Sequence, residues 1–186
     1  MNFLELALKR QSVRKYSQKK VERKKIIQLL ESARLAPSAS NSQPWYFIVV
    51  DEPEMKQKVA EATFNKLIQF NRFSLESPVI LVLVMKKPRI ITQIGGRMKK
   101  KEYPLFDMGI VAYHITLQAT ELGLGTCILG WFDELRIKQT LRIPHKHRVS
   151  LLITLGYPPD GYKKRNKHRK EFEKLYSFNH FNKNKL

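Results

Sequence analysis

Arg10-Gln11-Ser12-Val13-Arg14 sets two guanidiniums and a hydroxyl at alternating positions of an extended turn. That set suits a dianionic phosphate, since each arginine offers paired donors with a fixed charge and the serine adds a neutral donor. For so short a motif, a solvated basic turn is the plainer alternative. Ala36 to Trp45, APSASNSQPW, is rich in small and amide residues and bracketed by prolines. Its hydroxyls and backbone can line a flat polar ligand, or simply make a polar turn between helix and strand. In Gly123 to Trp131, GLGTCILGW, Gly130 allows a ligand or another backbone close to a strand end, whereas Gly123 and Gly125 serve a helix stop and a turn. In Lys163 to Lys170, six of eight residues are Lys or Arg, which alone reads as a nucleic-acid-binding tail.

Other reactive side chains carry less. Cys127 has apolar neighbours and reads as a buried structural thiol before a redox one. As the single cysteine it excludes an internal disulfide and a cysteine-based zinc site. His145 and His147 lack a carboxylate or cysteine companion, and His114 falls within a helix, so no metal site is expected. Trp131 and Phe132 suit either a substrate pocket or the core.

These residues need a scaffold. A length of 186 residues with 42% hydrophobic content fits one domain with a real core, residues 1–186, ending in a basic tail from about 163. The longest apolar run, Val79 to Met85, falls far short of the roughly 20 residues that cross a bilayer. The N-terminal MNFLELALKR carries Glu5 and reads as a short amphipathic helix, so no membrane and a cytoplasmic location are expected. Net charge is +19, from 35 Lys and Arg against 16 Asp and Glu. Such a surface attracts polyanions. Its charges are spread over several segments, as on a solvated basic surface, and there is no zinc finger, RNP signature or basic recognition helix.

Periodicity predicts helices over 22–35 (Ile26, Leu29, Leu30 and Ala33 on one face, Pro37 ending it), weakly over 54–70, over 105–122 and over 133–141. Phe106, Ile110, Ile115 and Leu122 mark the third of these as mostly buried. Asp107 near its start suits a cap and Gly123 its left-handed stop. Strands are predicted at Trp45 to Asp51, Pro78 to Lys86, Thr126 to Phe132 and Arg148 to Leu155. Residues 87–104 read as a mobile loop with one turn of helix. Few strands among many helices give an α+β or α/β domain whose small sheet a second subunit completes.

In the same order and at similar spacing, these motifs resemble the FMN-dependent nitroreductase family. The resemblance rests on Arg10-Ser12-Arg14, Pro37 to Trp45, Asp107-Met108-Gly109, Gly123 to Gly130, Gly156-Tyr157-Pro158 and Lys167-His168-Arg169. It runs from about Asn2 to Lys174. It implies an α+β, nitroreductase-like fold with a small, mostly antiparallel central sheet flanked by helices and completed across a homodimer. It implies FMN as cofactor, NADPH or NADH as donor, and a two-step reaction. Hydride passes to flavin N5, and reducing equivalents then pass from the same face to an electron-poor small-molecule acceptor such as a nitroaromatic or quinone. The resemblance further implies that Arg10, Ser12, Lys167 and Arg169 hold the FMN phosphate, with Gln11 in the same turn. Arg14 would lie near the ring, the Leu129 and Gly130 amides near N5 and O4, and Asn71 at the pyrimidine edge. Pro37, Ser38 and Ser40 would reach the flavin from the partner subunit. No side chain is assigned as catalytic, because the flavin carries the hard chemistry. A basic lid at Arg97 and Lys99 to Lys101 would favour anionic acceptors or NADPH. Alternatives are a dehalogenase or biosynthetic dehydrogenase of the same family, a flavin storage protein and, from another class, a basic nucleic-acid-binding protein.

Overall fold

Val79 to Met85 reads as unbroken apolar sequence because both faces of this strand are covered. Val79, Leu81 and Leu83 point into one core and Ile80, Val82 and Val84 into a second, as the period of two dictates. The computed structural model describes residues 1–86 and 102–182. Most of the loop expected over 87–104, including Arg97 and Lys99 to Lys101, lies outside the described residues.

In chain order the elements are α1 (Phe3–Lys9), α2 (Arg23–Arg34), β1 (Trp45–Val50), α3 (Pro53–Glu61), β2 (Val79–Met85), α4 (Tyr103–Glu121), β3 (Gly125–Leu129), α5 (Glu134–Thr140) and β4 (Arg148–Gly156). The four strands form one sheet in the order β1-β2-β4-β3, and each neighbouring pair is antiparallel. Helices α2 and α4 bury Ile26, Leu29, Val111, Ile115 and Ala119 on one face. Val59 and Ala60 of α3 and Ile137 of α5 fill the other. The result is the α+β arrangement expected. Ser150 makes a bulge between β2 and β4, and its hydroxyl donates to the Leu83 carbonyl at 3.0 Å.

Local chemistry explains the boundaries. Asn2 and Glu5 form a capping box on α1, so the acid inside its apolar stretch is a helix start. The helix expected over 54–70 ends at Glu61. Thr63 turns its hydroxyl back to the Ala60 carbonyl, and Asn65 Oδ1 accepts from the Leu67 and Ile68 amides, giving the backbone a turn instead of another helical repeat. A 3-10 turn, Arg72–Glu76, follows. Gly123, at φ +76°, stops α4 in the left-handed region. Helix α4 departs from expectation in its buried face. Ile115 is buried, but Phe106 and Ile110 are exposed alongside Tyr113, so α4 presents a second apolar face outward.

The N-terminal chain closes the β3 side of the sheet. Ser12 forms a parallel bridge to Thr126, and the Val13 amide donates to the Thr126 carbonyl at 2.8 Å. Gly125 was expected to serve only a turn. A Cβ there would lie 2.7 Å from Val13, so it is the missing side chain that admits this segment. At Gly156 a Cβ would meet the Pro78 ring at 2.6 Å and the Tyr16 ring at 2.9 Å. Tyr16 cannot move aside easily, because its hydroxyl is shared with Thr154 Oγ1 at 2.7 Å and donates to the Val13 carbonyl at 2.9 Å. Gly156→Ala is therefore expected to destabilise the fold by about 1–3 kcal/mol, the usual cost of overpacking, measured by denaturant unfolding.

Candidate functional site

Three segments meet where α1 ends. The tail folds back so that Lys167 donates from Nζ to the Leu8 carbonyl at 3.1 Å and also to the Arg10 carbonyl. Gln11 Oε1 accepts from the Arg165 amide at 2.9 Å. These bonds close a cleft of about 940 Å³ whose lining includes Arg10, Lys164, Arg165, Lys167 and Arg169, with Leu4, Leu8 and Tyr113 as its apolar part. Among the described residues no carboxylate lines it. The crowding is felt at Lys167, whose ammonium is pushed below the usual lysine range by burial first and then by the Arg10, Arg169 and Lys164 cations. The carbonyls that hold Lys167 belong to the last turn and C-cap of α1, the end of a helix that attracts cations. Five cations facing one cleft without an acid suit an anion.

Ser12, unlike Arg10, does not line this cleft; it sits on the bridge to β3, with its hydroxyl against the Cys127 thiol. Burial pushes that thiol up, outweighing Arg14 and the Ser12 bond, so the inert reading of Cys127 fits. Arg14 points elsewhere. The Tyr162 hydroxyl accepts from its amide at 3.2 Å, and its guanidinium lies 5.9 Å from the Phe73 ring centre. That brings it toward the 3-10 turn after Asn71. Asn71 is buried and donates from Nδ2 to the Trp131 carbonyl at 3.1 Å, fixing the chain just past Leu129 and Gly130. Phe70 and Trp131 meet edge to face at 5.8 Å. Among the described residues nothing lies within 4 Å of where a Gly130 Cβ would stand, so they leave this strand end open.

Pro37, Ser38 and Ser40 form a separate group. None lines the cleft; they sit on the α2–β1 loop, over the start of α4. Ser40, Asn41 and Gln43 adopt left-handed φ of 52°, 48° and 44°, uncommon for residues other than glycine. The Ser38 hydroxyl accepts from the Gln43 amide at 3.0 Å, and Gln43 Nε2 donates to Asn41 Oδ1 at 2.8 Å. Asp107 does not cap α4, which starts with no side-chain cap. Its Oδ1 accepts from the Ala39 amide at 3.0 Å instead. Sequence reasoning missed Lys164 and Arg165 as cleft residues, although they stand in the basic run already singled out. It also missed Tyr162 and Tyr113, for which no sequence signal existed.

The nitroreductase family model matches residues 7–157. The chain belongs to the nitroreductase family. A protein of Archaeoglobus fulgidus described as a putative NADH dehydrogenase/NAD(P)H nitroreductase is 34% identical over 164 residues, covering 84% of this chain and 86% of its own. A solved nitroreductase family protein from Clostridium novyi NT is 38% identical, with a TM-score of 0.77 and 89% of each chain covered. The structure of an FMN-dependent nitroreductase from Clostridium difficile R20291 is 29% identical, with a TM-score of 0.78, covering 96% of this chain and 100% of its own. Membership makes this chain a nitroreductase-like oxidoreductase, on the fold its motifs implied.

The anion site has its own test. Inorganic phosphate is expected to raise the thermal midpoint more than chloride at equal ionic strength, and Lys167→Gln to reduce that difference. Protonated Lys167 is the anion-binding form and its pKa is depressed. The stabilisation by phosphate should therefore fade as pH rises, starting below the ordinary lysine value of about 10.4. Differential scanning fluorimetry against pH reads this directly.

Proposed function

We propose that the chain is an NAD(P)H-dependent FMN oxidoreductase acting as a homodimer, with the phosphate of FMN in the cation cleft. The carrying observation is the cleft itself: five basic side chains line it, and Lys167 is depressed by burial first and then by its cationic neighbours. A dianionic phosphate relieves that crowding, so the donor set fits the group. When bound, FMN supplies the redox chemistry, taking hydride from NAD(P)H and passing reducing equivalents to an electron-poor acceptor such as a nitroaromatic or quinone.

This chain's residues bind and orient. Arg10, Lys167 and Arg169 hold the phosphate with charge-assisted bonds, and Ser12 adds a neutral donor. Gln11 braces the tail through the Arg165 amide. Arg14, turned toward Phe73, provides positive charge at the pyrimidine side of the ring, where Asn71 also stands. The open strand end at Leu129 and Gly130 offers backbone amides to the N5 side. Pro37, Ser38 and Ser40 act from the second copy.

The dimer has support in the surface. Leu4, Leu8, Phe106, Ile110 and Tyr113 leave α1 and α4 with an exposed apolar face, larger than scattered surface residues explain. Strand β1, at one end of the sheet, keeps an unpaired edge among the described residues, whereas the N-terminal segment covers β3 at the other. Beyond Lys170 the tail exposes Phe172, Phe178 and Phe181, with Phe178 at 83%. A second copy gives both the edge and the aromatics something to pack on.

The direct test is the purified protein's colour. A flavin spectrum, restored by FMN after stripping and bleached by NAD(P)H without oxygen, is expected; a colourless chain that refuses FMN overturns the reading. Lys167→Ala and Arg169→Ala are each expected to weaken FMN affinity about 10- to 100-fold, the worth of one charge-assisted contact, with little change in fold stability. Light scattering should give twice the 21.9 kDa chain mass, and removal of residues 171–186 should shift the protein toward monomer.

A further inference from the structure

We infer that Asp107 is a positioning residue of the cofactor site, fixing the backbone on which Ser38 and Ser40 are presented. The inference rests on the proposed function, since those serines matter here only if they reach FMN. Asp107 is 3% exposed, yet α4 makes no use of its carboxylate. One oxygen takes the Ala39 amide at 3.0 Å. The other is buried without a hydrogen-bond partner among the described residues, as is the hydroxyl of Ser42 in the same loop.

Stability alone is a poor account of that arrangement. A buried carboxylate with one free oxygen costs folding energy, and an apolar side chain would pack α4 with less penalty. What the carboxylate supplies is a fixed point for a loop that needs one. Ser40, Asn41 and Gln43 all hold left-handed conformations, which relax unless their surroundings enforce them. Two internal bonds, Gln43 N to Ser38 Oγ and Gln43 Nε2 to Asn41 Oδ1, shape the loop without attaching it to the fold. The Asp107–Ala39 bond makes that attachment. It runs from the middle of the first turns of α4, the element whose exposed face carries Phe106 and Ile110, to the residue between Ser38 and Ser40. The carboxylate touches the loop backbone only, so it acts through the serines.

Two variants isolate the bond from opposite sides. Asp107→Ser is too short to reach Ala39. Ala39→Pro deletes the donor while leaving Asp107 in place. Proline is tolerated there because Ala39 is the first residue of its 3-10 turn and Ser38 before it is extended, at φ −146° and ψ 155°. Asp107→Asn keeps an oxygen for Ala39 and serves as the conservative rescue. Apo-protein is titrated with FMN by quenching of flavin fluorescence, and each variant's thermal midpoint is taken without flavin. Asp107→Ser and Ala39→Pro are each expected to weaken FMN binding about tenfold or more, with Asp107→Asn within about threefold of the unaltered chain. If Asp107→Ser does not fold, Ala39→Pro decides alone. Unchanged affinity in both, an Asp107→Asn as weak as Asp107→Ser, or losses that follow the flavin-free midpoint overturn the inference. An unaltered chain that takes up no FMN overturns the proposed function and this inference with it.

Discussion

The cation cleft depends on one close approach, that of the extended chain from Ser12 to Tyr16 against the ends of β3 and β4. It is possible only because positions 125 and 156 carry no side chain, where added Cβ atoms would come within 2.7 Å of Val13 and 2.6 Å of Pro78. Once Val13 is seated inward, the alternation of an extended backbone turns its neighbours Ser12 and Arg14 the other way. Arg10 then stands at the C-cap of α1, close enough for Lys167 to bridge helix and tail. The same contact covers β3, which leaves β1 as the free edge. The cleft and the free sheet edge thus follow from two glycines.

Charge works on two scales in this molecule. The net +19 is a property of the whole surface, and most of it is spread where water screens it. The cleft is different because neutral groups hold its frame: helix-end carbonyls accept from the Lys167 ammonium, and the Gln11 side chain accepts from the Arg165 backbone amide. Neutral scaffolding leaves the positive charge uncompensated, and that charge adds to burial in depressing Lys167. A compact cluster of cations in an open cleft suits a phosphate group. A duplex would need charges along a line.

Much of the fold was legible because local rules and tertiary demands agree. The α2 face at Ile26, Leu29 and Ala33, the doubly covered β2 and the Gly123 stop appear close to where pattern places them. Disagreement comes where a polar side chain outbids the pattern, as when Thr63 and Asn65 end α3 early. In α4, apolar content was read as burial, but Phe106 and Ile110 face outward, because periodicity cannot tell a core face from an interface face. Asp107 stood at a plausible capping position and serves a loop 68 residues away in sequence, a pairing that only the folded chain reveals. Among site residues, Arg10, Lys167 and Arg169 come together across more than 150 positions, whereas Pro37, Ser38 and Ser40 stay apart from them.

That separation is itself physically informative. Left-handed conformations at three residues of one loop cost about 1–2 kcal/mol each by simple sterics, somewhat less at asparagine. The α2–β1 connection has ample small residues to relax, so the strain persists only because Ser38, Gln43 and Asp107 hold it. Beside this loop, α4 exposes phenylalanine and isoleucine that water does not favour. In the proposed dimer a second copy packs on α4 and brings this loop to the other chain's cleft, which offsets both costs together. The affinity of the two copies and the geometry of the proposed cofactor site then become one quantity, because Asp107, which holds the loop, sits on the helix that would make the contact.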